Sequence, residues 1–366
     1  MKKVYFLILS LIALVISNCT TKSNQQEIVY TDFPHEYKLS KPIAEKLLFQ
    51  LAPDKVFKVD SLLLIWQHQG NEFFCGVYNE NIEFLGSFGR KGRGAGEFPF
   101  LEFCGQYEKD NLNNIKLWVY DQDLFGAYKI DLAKSINAND DSFIEKIVAL
   151  PTSLLTIPEV LINEKEDVYL CRSDMVSEGR YFLFHENDPN TKWMESIPLV
   201  EKYIHKDNLS LAYHAATRFD KSSGLFISAM TFFDRIDFIS STGKIVKSVI
   251  RNNGNPPPDF TNPNLPFSPQ NFSYYIDLQI TDRYIFGSYS GLSQEEYKDR
   301  KKNNLPIKNE IHVFSKNGEP LVNFKFDFEV NRFAVDTKKN IIYIMDFRSE
   351  EVSLLLFKMP EISSSN

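Results

Sequence analysis

The sequence is most informative in what it lacks. No 3.6-residue periodicity runs between its apolar segments, which argues against helical layers and βαβ units. There is no excess of positive charge. The formal net charge is -7, and it becomes more negative without Lys2 and Lys3, which argues against a general nucleic-acid or anionic-membrane surface. Chemical motifs are equally scarce. No GxSxG elbow and no GxxxxGK[ST] loop occurs, and the most plausible nucleophile setting, Cys171 beside Arg172, has no evident histidine partner. The six histidines, His35, His68, His185, His205, His214 and His312, show neither i, i+4 spacing nor a CxxC neighbour, so no zinc site is expected. The acidic stretches "DQD" (Asp121–Asp123) and "NDD" (Asn139–Asp141) lack the glycine turn and distal glutamate of a calcium loop. No cofactor is expected from any local motif. Cysteine is also sparse, four in 366 residues. Past the first nineteen residues Cys75, Cys104 and Cys171 remain, an odd number set in strand-like runs, and they read as small buried hydrophobes rather than a disulfide framework.

What is abundant is aromatic. Phe (31) and Tyr (17) help bring the aromatic share to 14%, and such side chains favour pleated, half-buried strands. At the N-terminus a cationic "MKK", an apolar "VYFLILSLIALVIS" and Cys19 read as a targeting segment too short to span a bilayer comfortably. The pattern resembles a bacterial lipoprotein signal, with Asn18 where Gly, Ala or Ser is usual. That resemblance implies a signal peptide over 1–18, a lipidated Cys19 and a tether to residue 27 ("TTKSNQQE"), leaving 28–366 as a single domain. An ordinary secretory leader cut nearby is the alternative.

Within that domain a two-part phrase recurs six times, as in "NIKLWVYDQDLFGAYKIDL" and "KNIIYIMDFRSEEVSLLLFKMP". The copies fall roughly every 45 to 60 residues, a period characteristic of stacked β units. The turns "STGK" (Ser241–Lys244) and "KNGE" (Lys316–Glu319) carry hairpin chemistry. The expected fold is all-β, a six-bladed β-propeller of four-stranded antiparallel blades. Its ring is expected to be closed by an N-terminal strand, with Val29–Tyr30 or Tyr37–Leu39 pairing with a strand inside 340–360.

The stretch "FLGSFGRKGRGAGEFPF" runs into no helix, which excludes a phosphate loop or dinucleotide fingerprint. It resembles the blade-linking phrase of NHL-type propellers. The wider pattern, clearest in "VYDQDLFGAYKIDL" and "IHVFSKNGEPLVNFKFDFEVNRFAVDTKKNIIYIM", resembles the TolB-like six-bladed propeller lipoproteins of Bacteroides and relatives. This resemblance implies a shape and no inherited activity. In it Glu97 would accept hydrogen bonds, Phe98 would plug between blades, and Arg90, Lys91 and Arg93 would stand on a rim, either as solvated charges or as a lip for an anion.

Other candidates lie in "YIHKDNLSLAYHAATRFD". There Tyr213, His214 and Arg218 either form a channel-mouth site for an anionic or glycan ligand or satisfy buried groups between blades. A proline-rich stretch carrying Phe260 and Phe267 is expected to form a lid, and a second insertion to form a short helix over Gln294–Lys302. The expected function is a monomeric, envelope-tethered, periplasm-facing module that binds a protein, peptide or glycan without catalysis, touching the membrane only through its lipid. The alternative is a propeller hydrolase or lyase with carboxylates or histidines converging in the channel.

Overall fold

The computed structural model describes residues 26–362, apart from 49–51, 71, 139, 153–157, 173–178, 187, 195–202, 263, 265–267 and 308. Cys19 and the leader therefore lie outside the described residues.

Each of the six recurring phrases forms one sheet, and the sheets stand in a ring. The second strands begin at Leu62, Ile115, Val168, Leu225, Tyr284 and Ile341. Runs such as Leu62–Gln67 ("LLLIWQ") are buried almost throughout. A strand covered on both faces reads as a continuous apolar run, and here each blade is covered by its two neighbours. The core is accordingly a chain of inter-blade clusters. Trp66 and Phe74 of blade 1 pack with Leu117 and Val119 of blade 2, and the ring closes where Val56 and Leu63 of blade 1 meet Tyr343 and Met345 of blade 6. Cys75, Cys104 and Cys171 are buried free thiols.

Local turn chemistry repeats as well. Just before the second strand stands a residue with positive φ in five blades: Asp60, Asn113, Asp167, Gly224 and Asn340. Asn, Asp and Gly tolerate that region, which suits tight hairpins. The "STGK" and "KNGE" turns do join the third and fourth strands of blades 4 and 5.

The ring is closed by an N-terminal strand, but not by the segment expected. Ala44–Leu47 pairs antiparallel with Ser353–Lys358 as the fourth strand of blade 6. The earlier segment forms a strap instead: Gln26–Tyr30 runs parallel to Ile245–Arg251 of blade 4, and His35–Lys38 parallel to Pro320–Lys325 of blade 5. The physical reason is burial. Tyr30 and Phe33 join the cluster between blades 4 and 5, where the Tyr30 and Tyr275 hydroxyls lie 3.4 Å apart and the Phe33 ring lies 4.6 Å from His312. Blades 4 and 5 thereby gain a fifth strand, as does blade 1 through Glu97–Phe98.

That short strand belongs to the glycine stretch, which links blade 1 to blade 2. Glu97 Oε2 accepts from the Gly94 N–H at 2.8 Å, and a Cβ on Gly92 would sit 2.0 Å from the same oxygen. Gly96 has φ +71 with Asp140 O 2.2 Å from where a Cβ would stand, so only glycine fits there. Phe98 is buried, edge-on to Tyr128 of blade 2, filling the seam as expected.

Candidate functional site at the channel ends

The first strand of each blade lines the central channel: Pro53–Val59, Leu101–Lys109, Glu159–Asn163, Ala215–Asp220, Phe272–Ile280 and Phe333–Asp336. Their starting ends mark what we term the upper mouth and their finishing ends the lower.

Arg218, on the inner strand of blade 4, divides the two. Its Nη2 donates to Asp277 Oδ1 of blade 5 at 3.0 Å, and Nη1 lies 3.8 Å from Glu159 Oε1 of blade 3. Its guanidinium sits 5.8 Å from the Phe57 ring of blade 1, and a Cβ on Gly105 of blade 2 would stand 3.6 Å from its Nε. One side chain thus ties five blades across the axis. Burial raises the Glu159 carboxyl above the usual range, against the opposing charges of Arg172 and Arg218.

Below Arg218 the channel opens into a funnel of about 840 Å³ to which all six blades contribute. Its rim charges are largely matched, with Lys316 at 2.7 Å from Asp220, Lys58 at 3.4 Å from Asp336 and Lys221 at 3.4 Å from Glu108.

Above Arg218 lies a cavity of about 540 Å³ lined by side chains of blades 1, 4, 5 and 6. Its floor holds Arg332, which immediately precedes the inner strand of blade 6. Arg332 Nε donates to Asp54 O at 3.2 Å, and Nη1 to Ile276 O and Asn331 O, each at 3.3 Å. On the wall His214 bonds Thr231 Oγ1 at 2.9 Å. Burial, then the charges of Arg172 and Arg332, pushes His214 down to about 3, so it is neutral at ordinary pH.

Beside the cavity His68 is held on both ring nitrogens, Nδ1 by Asp54 Oδ2 and Nε2 at 2.8 Å from Glu102 Oε1. Lys55 donates to the other oxygen of Glu102 at 2.7 Å, and the Phe100 ring stacks on the imidazole at 5.1 Å. Burial opposes a charge on His68, but the hydrogen bonds and charges of Asp54 and Glu102 outweigh it and raise the imidazole to about 9. Burial likewise works against the Glu102 charge and is overcome by His68 and Lys55, which hold its carboxyl below the usual range. Long connections of the upper face add to the cavity wall. The helix Gln294–Lys302 forms as expected, with Ser293 capping it through the Glu296 N–H, and contributes Gln294 and Tyr297 to the wall.

The sequence candidates fall apart in space. His214 faces the upper cavity, whereas Arg218 is the mid-channel tie. Tyr213 is buried and stacked on Phe233 at 5.4 Å rather than aimed at the axis. It caps a helical turn, Leu209–Ala212, so strand alternation does not reach it. Phe260 is fully buried against Phe232 in a small upper-face cluster, and Phe267 lies outside the described residues. Arg90 sits 3.0 Å from Glu72 and Lys91 donates to His68 O at 2.9 Å; of the three cations only Arg93 is fully exposed. Sequence reasoning missed Asp54, His68, Glu102 and Arg332. A signal for Arg332 was there: like His214, it stands immediately before an inner strand, so aligning the copies places the two at one repeat position.

Six sheets around one channel, each passing its innermost strand to the axis, define a six-bladed β-propeller. The chain matches the model of the TolB-like six-bladed propeller family over residues 32–338, and it belongs to that family. Among solved structures it is similar to a member of the DUF4221 family from Bacteroides vulgatus, at 11% identity, covering 87% of this chain and 95% of that one, with a TM-score of 0.57. It is also similar to a second protein, from Bacteroides fragilis, at 14% identity, covering 89% of this chain and 100% of that one, with a TM-score of 0.48. At such identity the first likeness shows the fold alone. No curated protein matches the chain.

Proposed function

We propose that this propeller is an envelope-tethered binding module that takes a peptide or glycan in its upper cavity. The observation that carries this reading is the cavity itself. It is concave, walled by four blades and a dedicated helix, and lined by Ser273, Ser290, Thr231 and Tyr297 beside the apolar Ile276 and Leu292. A few placed polar groups on an apolar wall is the usual make-up of a ligand pocket. The strap supports a polarity for the tether. Gln26–Tyr30 runs parallel to the outer strand of blade 4 and finishes beside Arg251 at the upper end, so the chain arrives from the lower rim. A lipid on Cys19 would then hold the lower mouth towards the membrane and turn the upper cavity away from it. We favour the periplasmic side; release of the protein by protease from intact cells would contradict that preference.

A thermal-shift screen of envelope glycans and peptides tests the binding reading. A ligand should raise the melting temperature of the native chain and not that of Ser290→Trp, which fills the cavity. Equal stabilisation of both proteins, or none across the screen, would contradict it.

A second reading, hydrolase or lyase chemistry, draws on the convergence of Asp54, His68 and Glu102. Three features favour binding instead. His68 has both nitrogens engaged, its raised titration leaves it charged and unable to act as a base near neutrality, and each of the two carboxylates already has a cation. Time-dependent ligand turnover, seen by mass spectrometry and lost in His68→Gln, would reverse that preference.

A further inference from the structure

We infer that the ligand of the upper cavity is an acidic sugar whose carboxylate binds Arg332; this inference rests on the binding reading above and specifies its chemistry. Two carboxylates also line the cavity, and each has a partner elsewhere. Asp54 holds His68; Glu329 accepts from the Tyr297 hydroxyl at 2.9 Å and lies 4.0 Å from Lys301. Arg332 differs. Its Nε and Nη1 donate only to backbone carbonyls, and among the described residues no carboxylate lies within ion-pair distance of it. Those carbonyls hold the guanidinium plane, and Arg332 lines the cavity. A rigid guanidinium without a counter-ion is a carboxylate receptor, because the planar group is already oriented and only the ligand need be ordered. Burial first, then the charges of Arg172 and Arg332, depresses the His214 imidazole, so the Arg332 charge is felt at the cavity wall.

The same arrangement argues against a dianion. A phosphate would face one unmatched cation and two nearby carboxylates, which repel a second negative charge.

The body of the ligand is read from the rest of the wall. Thr231, Ser273 and Ser290 line the wall, and their hydroxyls can donate to and accept from those of a sugar. Phe347 stands 44% exposed at the edge of the cavity and offers a flat apolar face to a sugar ring. A peptide taken by strand addition would pair with an outermost strand at the periphery of the ring, away from this cavity, which is walled by inner-strand ends and connections.

The test is a titration of the purified full chain against a panel of oligosaccharides containing glucuronic or galacturonic acid. The comparison arms are the same sugars with carboxyls reduced to alcohols, sulfated sugars, and a short Asp/Glu peptide. The uronic sugars should bind, and carboxyl reduction should cost about tenfold or more in affinity, as should Arg332→Gln. Phe347→Ala, an exposed position that leaves the Arg332 carbonyl contacts intact, should lose several-fold and serves as the second variant if Arg332→Gln does not fold. Equal binding of reduced sugars would overturn the Arg332 role while leaving the cavity as a glycan site. Stronger binding of sulfated sugars or of the peptide would overturn the ligand class. Failure of every arm would overturn the inference, whereas the binding reading itself is decided separately by whether any ligand stabilises the native chain but not Ser290→Trp.

Discussion

The two ends of the channel are built by different means. The lower mouth is a ring of short hairpins, five of them using one positive-φ Asp, Asn or Gly at the same repeat position, and its charges neutralise one another across the rim. The upper mouth is built from long connections, among them the Gln294–Lys302 helix and the proline-rich segment around Phe260, and it holds an arginine with no counter-ion among the described residues. The repeat thus supplies a rigid frame, and the proposed recognition falls where the repeat is interrupted. Loops on a rigid scaffold have that freedom because their own sequence need not satisfy the sheet ladder.

If Arg218 is the tie between the two halves, removing it should damage the whole ring. Arg218→Ala leaves Asp277 without its cation and Glu159 with Arg172 alone, and breaking a buried pair in this way costs about 3–5 kcal/mol. Urea denaturation should show that loss; a change under about 1 kcal/mol would mean that the channel halves are held independently.

His68 should affect only the upper half, and with a definite pH sign. Its folded value, raised to about 9, lies above the unfolded value near 6.5, so the stability it adds is fully present below pH 6.5 and is lost as pH rises through 9. The contribution is up to about 3 kcal/mol, and His68→Gln should flatten that alkaline limb. His214 and His312 act in the opposite direction. Burial holds them down to about 3 and about 4, so their contribution is present above pH 6.5 and is lost as pH falls towards those values. Melting temperature against pH, with and without His68→Gln, separates the two limbs.

The smallest effect should come from a lower turn. Gly224 has φ +71 and only Glu166 Oε1, 3.9 Å away, near a would-be Cβ. Gly224→Ala should therefore cost only the positive-φ penalty, about 1 kcal/mol, with ligand binding unchanged. A loss of binding in this variant would blur the distinction between the two mouths.

How much of this was legible in the sequence follows the same division. The six phrases, the "STGK" and "KNGE" turns and the Gln294–Lys302 helix could be read because each is encoded within a few adjacent residues. Six blades followed from the repeat, and so did the need for a closing strand. Which N-terminal segment closes the ring did not follow, because "IVYTDFPHEY" and Ala44–Leu47 are both able to pair, and the choice falls to the space for Tyr30 and Phe33 between blades 4 and 5. The cavity was the least legible part. Arg332 and Asp54 are 278 residues apart in the chain, and nothing local marks them as neighbours. Arg218 was noticed for its charge, but its place at the centre of the ring depends on Asp277, Glu159 and Phe57 arriving from other blades.

The account rests on recognition at the upper mouth, and site-specific photo-crosslinking in the intact envelope tests it most directly. A photoreactive phenylalanine analogue at Phe347, 44% exposed at the upper cavity, is compared with the same analogue at Tyr107, 36% exposed in the lower funnel; with exposure so closely matched, only ligand occupancy should separate them. Adducts at position 347 and not at 107 are predicted. Adducts chiefly at 107, or none at either position in a folded protein, would contradict the account.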